Sequence, residues 1–408
     1  MKIFIGSVEN CGILNGLSYG FKKLGHEVTS FVKTRDSFFK NCIYDYDMSN
    51  FSISPSYFKK IPLLKSAEFR AKNFILRNHI KNIFFKDLIK NDVFIFTCST
   101  ILNNLKDLAI LKKHNKKIVF IFIGSEIRYA LAFNQQFPGI TIPWPSSFIN
   151  ENLNKKLEFI RTIEFYADSI HALPDLSGLL IKPYNLTYVP YILDNKIFKI
   201  PDNNIVKIVH APSNRNLKGT SIILDTIDRL KKEKLNFEFK IIENQPNEIV
   251  IQELLDADIA IDQLYLHYPG IFATEAMAMG CAVATHSYEH ETNFFHPPIC
   301  NINENNVYEK LKYLIEHRDY RIKLANEGRS FVQENNSPEL VANKILEGLL
   351  HSGHNEFKPT FYLNNFIKRQ DEHISNKVKS FTKQVITKYY DKHHLEIYES
   401  SLEQRGLL

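Results

Sequence analysis

The sequence lacks paired cysteines, long apolar runs and the common phosphate- and metal-binding signatures. Five cysteines among 408 residues (Cys11, Cys42, Cys98, Cys281 and Cys300) form an odd, scattered set with no CxxC pair. Such a set argues against a disulfide framework and against a structural zinc site. The thiols are expected to be reduced and mostly in the core. The longest unbroken apolar stretch, Ile118–Ile123, falls far short of the ~20 residues a membrane-crossing helix needs. At the amino terminus Met1–Gly6 meets Glu9 after too few apolar residues for a secretion signal, and it reads as a first strand. The expected compartment is the cytoplasm, with the inner face of the membrane within reach. No GxGxxG, P-loop, HExxH or Asp-rich metal loop is present.

What remains is ample core material: 44% apolar residues, with 31 Phe and 19 Tyr. That composition excludes a largely disordered chain. Single cores stop growing at roughly 250 to 300 residues, so a chain of 408 residues predicts two domains. The net charge of +6 is unevenly placed, because Lys59–Lys90 holds nine Lys or Arg against Glu68 and Asp87. This local excess says more about partners than the total does.

Short apolar runs alternate with amphipathic stretches. Lys2–Gly6 reads as a strand, Leu14–Leu24 as a helix closed by Gly25, and Glu27–Val32 as a strand. Asp92–Thr97, a helix over Asn103–His114 and the strand Lys117–Ile123 continue the pattern. After a long aromatic loop, Phe133–Trp144, come a helix near Glu151–Ala167 and strands at Ser169–Leu173 and Leu186–Pro190. Strand, helix, strand repetition predicts a parallel sheet covered on both faces. A connection over 190–204 then leads to a second run of the same design. Its strands are Ile205–Ala211, Phe237–Ile242, Asp258–Asp262 and Cys281–Thr285; its helices are Thr220–Lys232, Glu248–Asp256, Ile271–Met279, Asn305–His317 and Asp319–Glu334. The expected architecture is α/β, with two Rossmann-like doubly wound domains at 1–190 and 205–350 facing each other across a cleft, and a helical extension over 351–408.

Doubly wound sheets bind ligands beyond the carboxyl ends of their strands, and three such loops are unusual. Gly6–Gly16 lies where helix amides favour anionic oxygen, so its Gly12 either cradles a phosphate or makes a plain tight turn. His210–Thr220 brings Asn214, Arg215 and Lys218 to a helix start, where cations are electrostatically misplaced unless a bound anion resolves the conflict. Asp262–Ala284 passes through Pro269 and Gly270 into a helix. Gly270 allows close backbone approach, the amides of Ile271 and Phe272 would face a ligand, and Glu275 would accept hydrogen bonds from a sugar diol or merely complement the dipole.

The second and third loops together resemble the carboxyl-terminal signature of glycosyltransferase family 4, a retaining family of GT-B fold. The resemblance runs through most of Ile205–Thr285. It implies that Lys218, with Arg215, holds the diphosphate of a nucleotide-sugar donor, and that Glu275 bonds the donor ribose. The family's first signature Glu falls at His267, and its usual Arg at Ser213, so Arg215 and Lys218 stand closer together than the family's basic pair. In the first half Gly124–Arg128 resembles the family's loop beside the acceptor, where Glu126 or Arg128 would touch the acceptor hydroxyl or the transferred sugar. The resemblance thus implies a catalytic set of Arg215, Lys218, His267 and Glu126. The donor-binding set is Gly12, Asn214, Arg215, Lys218, Gly270, Ile271, Phe272 and Glu275. In this reading Lys218, Arg215 and the amides near Gly270 stabilise charge on the departing diphosphate, no metal or bound cofactor is required, and domain closure keeps water out. Two competing readings keep the fold: a nucleotide-sugar epimerase or hydrolase, which His267 would permit, and a non-catalytic partner that binds a sugar nucleotide or another transferase.

Other features carry less. His286, His290 and His296 with Glu289 and Glu291 suggest a loop facing the cleft more than a metal site. The basic stretch 59–90 reads either as an amphipathic surface for a membrane or lipid-linked acceptor, or as a helix packed on the sheet with a solvated Lys face. Ile374, Val378, Phe381, Val385 and Tyr389 form a stripe that must be buried on the body, on a second copy or on a membrane. The oligomeric state stays open, and nucleic-acid binding is disfavoured by the lack of a reading motif.

Overall fold

The computed structural model describes residues 1–35, 38–39, 42–49, 62–136, 141–173, 176, 178–193, 198, 204–288, 297–350, 368–369 and 371–408, with backbone alone for 62–69. Pro201, the histidines His290 and His296, Glu289, Glu291 and the start of the basic stretch therefore lie outside the described residues.

The first sheet is parallel throughout and has seven strands in the order β3-β2-β1-β4-β5-β6-β7. These are β1 (Lys2–Glu9), β2 (Glu27–Arg35), β3 (Tyr46–Asp47), β4 (Val93–Thr97), β5 (Lys117–Ile121), β6 (Ser169–Ala172) and β7 (Asn185–Leu186). Helices α1 (Ile13–Lys23), α2 (Pro62–Lys86), α3 (Lys106–Lys113), α4 (Ala130–Gln136), α5 (Ser146–Ile149) and α6 (Leu153–Tyr166) connect them. Central strands of such a sheet meet helices on both faces and so tolerate no polar alternation. Ile3, Phe4, Ile5, Phe94, Ile95 and Phe96 accordingly have no solvent exposure.

The second sheet has five parallel strands in the order β12-β11-β10-β8-β9. They are β8 (Val206–His210), β9 (Phe237–Ile241), β10 (Ile259–Ile261), β11 (Ala282–Thr285) and β12 (Cys300–Asn301). Around them run α7 (Arg215–Lys218), α8 (Thr220–Lys232), α9 (Asn247–Asp256), α10 (Ile271–Met279), α11 (Val307–Glu316) and α12 (Arg318–Asn335). In each sheet the strand order reverses beside the first strand, at β1/β4 and at β8/β10. Those switch points are where a doubly wound fold opens a crevice.

Three details go beyond what the sequence predicts. Phe133 is on α4, and with Trp144 it packs into the second lobe's core beside Leu264 and Tyr265; the aromatic segment thus joins the lobes. A further helix, α13 (Pro338–Leu350), returns to the first lobe and packs Val341, Ile345 and Leu349 against Leu14 and Leu17 of α1. The crossing is so close that a Cβ at Gly20 would lie 2.1 Å from the Pro338 carbonyl oxygen, so only glycine fits there. Of the five cysteines only Cys281 and Cys300 are buried, the others half-buried.

The tail forms α14 (Asn376–Tyr389) and α15 (Lys392–Gln404) and lies on the first lobe. Ile374, Val378, Val385 and Ile386 join that lobe's core, and Phe381 stacks on Phe165 at 4.9 Å. Polar anchors fix the docking: Tyr390 donates to the Ile181 carbonyl at 2.6 Å, and Arg161 Nε donates to Thr382 Oγ1 at 3.2 Å. Arg161 also pairs with buried Glu164, whose other oxygen accepts the amides of Ile181 and Lys182. A buried ion pair holds only when its remaining polar atoms are satisfied in this way. The stripe found in the sequence is therefore buried on the body of the same chain.

Candidate functional site

The site grows from the carboxyl ends of β8 and β10. After β8 the chain turns through Asn214, whose side chain caps α7 by accepting the Leu217 amide at 3.0 Å. That short helix sends its two cations in different directions. Arg215 is exposed and forms a two-pronged pair with Glu243, Nε to Oε1 at 2.7 Å and Nη2 to Oε2 at 2.8 Å. This contact holds the Glu243 carboxyl below its usual pKa. Lys218 turns inward, its side chain 13% exposed, and meets Asp262 at the end of β10, whose side chain is fully buried.

Asp262 does two jobs at once. One oxygen binds the Lys218 ammonium, and the other accepts the Gly270 amide at 2.9 Å. Neighbouring Gln263 is also buried; its Oε1 accepts from Lys218 at 3.2 Å and its Nε2 donates to the Tyr268 carbonyl at 2.6 Å. Two buried polar side chains thus fix both the ammonium and the turn that starts α10. Gly270 is needed for space here, since its φ of −74° is ordinary. A Cβ on it would lie 3.0 Å from Asp262 Oδ2 and 3.3 Å from Lys218 Nζ.

Gly270 has no side chain to cap α10, so among the described residues the amides of Ile271 and Phe272 at its first turn are the orphan donors that make a helix start anion-binding. Glu275, further along the same helix, is 3% exposed and accepts from the side chain of Asn247 at 2.7 Å. Tyr191 stands close by; burial, and then the Glu275 charge, push its pKa up.

His267 precedes this turn and faces the other lobe. Its ring stacks on Phe133 of α4 at 4.8 Å and 12°, and meets His286 and Tyr288 edge-on at 5.4 and 5.3 Å. Within the first lobe, Gly12 adopts a left-handed φ of 77° at the start of α1. Glu126 turns back on its own loop, its Oε1 accepting the amides of Ile123 and Gly124. The lobes also touch where the Asn247 amide donates to the Phe38 carbonyl at 3.2 Å. Lys218, Gly270, Ile271 and Phe272 are thus brought together, and Glu275 follows on the same helix. Arg215 is drawn aside by Glu243.

Asp262 and Gln263 escape a reading of the sequence, although Asp262 sits at the very end of a strand, where function concentrates in this fold. His210 escapes it too. At the end of β8 its Nδ1 lies 2.8 Å from the Ile261 carbonyl and its Nε2 3.0 Å from Thr220 Oγ1. Nδ1 must therefore carry the proton, because a carbonyl only accepts. Burial lowers the His210 pKa to about 4. Among the described residues no cluster of three His, Cys, Asp or Glu stands ready for a metal ion, and no helix is long and apolar enough to cross a membrane.

Two doubly wound α/β lobes with a crevice between their strand ends define a GT-B fold. No protein-family model matches the sequence, and neither does any curated protein. Solved structures do match. Sucrose-phosphate synthase from Thermosynechococcus elongatus is similar at a TM-score of 0.57 and 12% identity, over 87% of this chain and 100% of that one. The Anabaena protein Alr3699/HepE, solved with UDP-glucose, gives a TM-score of 0.51 at 12% identity, over 86% and 100% of the two chains. A Listeria monocytogenes protein assigned as a UDP-N-acetylglucosamine 2-epimerase gives 0.50 at 13% identity, over 87% and 98%. At such identities the likeness speaks for the fold, and function must be argued from the site.

Proposed function

We propose that the chain is a glycosyltransferase that moves a sugar from a nucleotide-diphosphate sugar to a glycan, lipid-linked or other acceptor, with retention and without a metal ion. The observation that carries this reading is the placement of Lys218 against Gly270 at the uncapped start of α10. An ammonium has three N–H donors. Asp262 and Gln263 occupy two of them, which leaves one for a phosphate oxygen beside the amides of Ile271 and Phe272. As the bond from anomeric carbon to diphosphate breaks, negative charge grows on the leaving oxygens. Fixed donors aimed at that charge lower the barrier. Asp262 keeps the ammonium in position without ligand, so little reorganisation is needed when the donor arrives. Glu275 would accept from the ribose hydroxyls, with Asn247 holding its other side. Glu126 lies in the loop where the acceptor would approach, and its carboxylate would first have to leave the amides it caps.

His267 supports a second reading, nucleotide-sugar epimerisation or hydrolysis, because an aromatic stack now stands where the resemblance calls for a sugar-binding Glu. Incubation with UDP- and GDP-sugars, with and without a mixed acceptor panel, separates the two. Acceptor-dependent nucleotide release with retained anomeric configuration by NMR supports transfer, and acceptor-independent release supports the alternative. If no nucleoside diphosphate raises the melting temperature, the chain is a non-catalytic partner and the donor-site reading is wrong.

A further inference from the structure

The crevice chemistry makes no use of the outward face of α2. From Arg70 to Lys86 the sequence holds five Lys or Arg and no Asp or Glu. The inner side of this helix is anchored, with Ile80 and Phe84 only 3% and 0% exposed in the first lobe's core. Away from that anchor Phe74, Ile75 and Phe85 are 65%, 54% and 44% exposed, and Arg70, Arg77, Lys81 and Lys86 are exposed with them. Arg70, Phe74, Arg77, Lys81 and Phe85 follow at steps of four and three, so cations and aromatic rings share one stripe.

A solvated Lys face accounts for the cations but leaves the rings unexplained. Single exposed apolar residues are ordinary, whereas several on one face rimmed by charge mark an interaction surface. The charge decides the partner. A second copy meeting this face about a two-fold axis would oppose cation to cation, which is costly. A soluble polyanion without stacking bases would satisfy the cations and gain nothing from Phe74 or Phe85. An anionic bilayer satisfies both, because its phosphates meet Lys and Arg while its headgroup boundary accepts apolar rings.

We infer that the outward face of α2 docks on an anionic lipid surface, with Phe74 and Phe85 entering the headgroup boundary and Arg77, Lys81 and Lys86 pairing with lipid phosphates. This goes beyond the donor site and does not depend on it. In flotation assays the full chain binds vesicles of phosphatidylglycerol and phosphatidylcholine, binds pure phosphatidylcholine far less, and loses binding as salt is raised. Each Lys or Arg near such a surface contributes about five-fold in affinity, so Arg77→Glu with Lys81→Glu lowers binding by more than roughly 25-fold. Phe74→Ser with Phe85→Ser also releases the protein. Both double variants replace exposed side chains, and an unchanged melting temperature and an unchanged nucleoside-diphosphate shift, where wild type shows one, confirm that they fold. Equal binding to neutral and anionic vesicles, or no binding to either, overturns the inference. So does loss of binding in the charge variant alone, which would identify a polyanion site, or conversion of a dimer to a monomer by the Phe variant, which would identify a contact between copies.

Discussion

At the end of β1 in the first lobe, Glu9 is buried and accepts from the Asn15 amide and the Tyr44 hydroxyl; after β5, Glu126 caps its own turn. At the end of β10 in the second lobe, a buried carboxylate does something different. Asp262 holds a lysine from another loop together with the first amide of a helix. Both lobes place acids at strand ends, but the first spends them on closing its loops. The second uses its acid to position a cation whose remaining donor faces a helix start. The same architecture therefore yields one lobe that presents a wall and one that presents charge. Phe133, which the first lobe inserts against His267, belongs to that wall.

The contrast is broken most severely by Lys218→Ala. Loss of one donor aimed at transition-state charge costs about 10²- to 10³-fold in rate, so kcat/KM for sugar transfer is expected to fall by that order, together with the thermal shift produced by UDP or GDP. The variant also strands the buried Asp262, and an unpaired buried charge destabilises by roughly 3 to 5 kcal/mol. Lys218→Ala with Asp262→Ala recovers part of that stability and none of the binding. If the double variant regained nucleotide affinity, Lys218 would be a structural residue only.

A second, smaller effect compares one buried histidine in each lobe. Burial lowers the pKa of His171 in β6 to about 3 and that of His210 to about 4, both from an ordinary 6.5. As pH falls below 6.5 the unfolded chain takes up protons that the folded chain refuses. The stabilisation is therefore complete above pH 6.5 and is lost progressively down to about pH 4 for His210 and further for His171. Between pH 7 and 5.5 each histidine should cost about 1 kcal/mol of unfolding free energy. Urea titrations at the two pH values test this, and His171→Gln and His210→Gln should each remove about 1 kcal/mol of the difference between them.

The tail supplies a third comparison. Ile386 is fully buried where α14 meets the first lobe, so Ile386→Val should cost about 1 kcal/mol. Nucleotide affinity, which the proposed donor site places in the second lobe, should stay unchanged below the melting temperature. A loss of affinity would mean that the tail reaches the crevice.

Much of the fold was readable because buried parallel strands are nearly continuous apolar runs, as in Phe94–Phe96 and Ile118–Phe120, and because helices such as Thr220–Lys232 carry a clear period. The loop cations were also readable as anomalies of charge at a helix start. Their partners were not, since Asp262 and Gln263 act on Lys218 across more than forty residues of chain and no local pattern marks such a contact. Helix α13 announced itself weakly, through Pro338 after Ser337 and apolar residues at Val341, Ile345 and Leu349. The partner that covers the tail's stripe could not be read, because one apolar face fits any other.

The smallest effect is also the sharpest test of which cation matters. From the sequence Arg215 and Lys218 are two cations one turn apart at a helix start, with the resemblance giving the diphosphate first to Lys218. In the structure they differ: Arg215 is exposed and paired with Glu243, whereas Lys218 is nearly buried beside Gly270. Exposed ion pairs add little to stability, so Arg215→Ala should leave the melting temperature almost unmoved. It should also weaken nucleoside-diphosphate binding far less than Lys218→Ala does, because a side chain held by Glu243 must first be released before it can reach a phosphate. Glu243→Ala tests the same point from the other side: by freeing Arg215 it should raise donor affinity slightly and make the Arg215→Ala loss larger. If Arg215→Ala instead matched Lys218→Ala in isothermal titration with UDP, the Glu243 pair would be a resting state that the donor breaks. The division of labour between the two cations would then have to be abandoned.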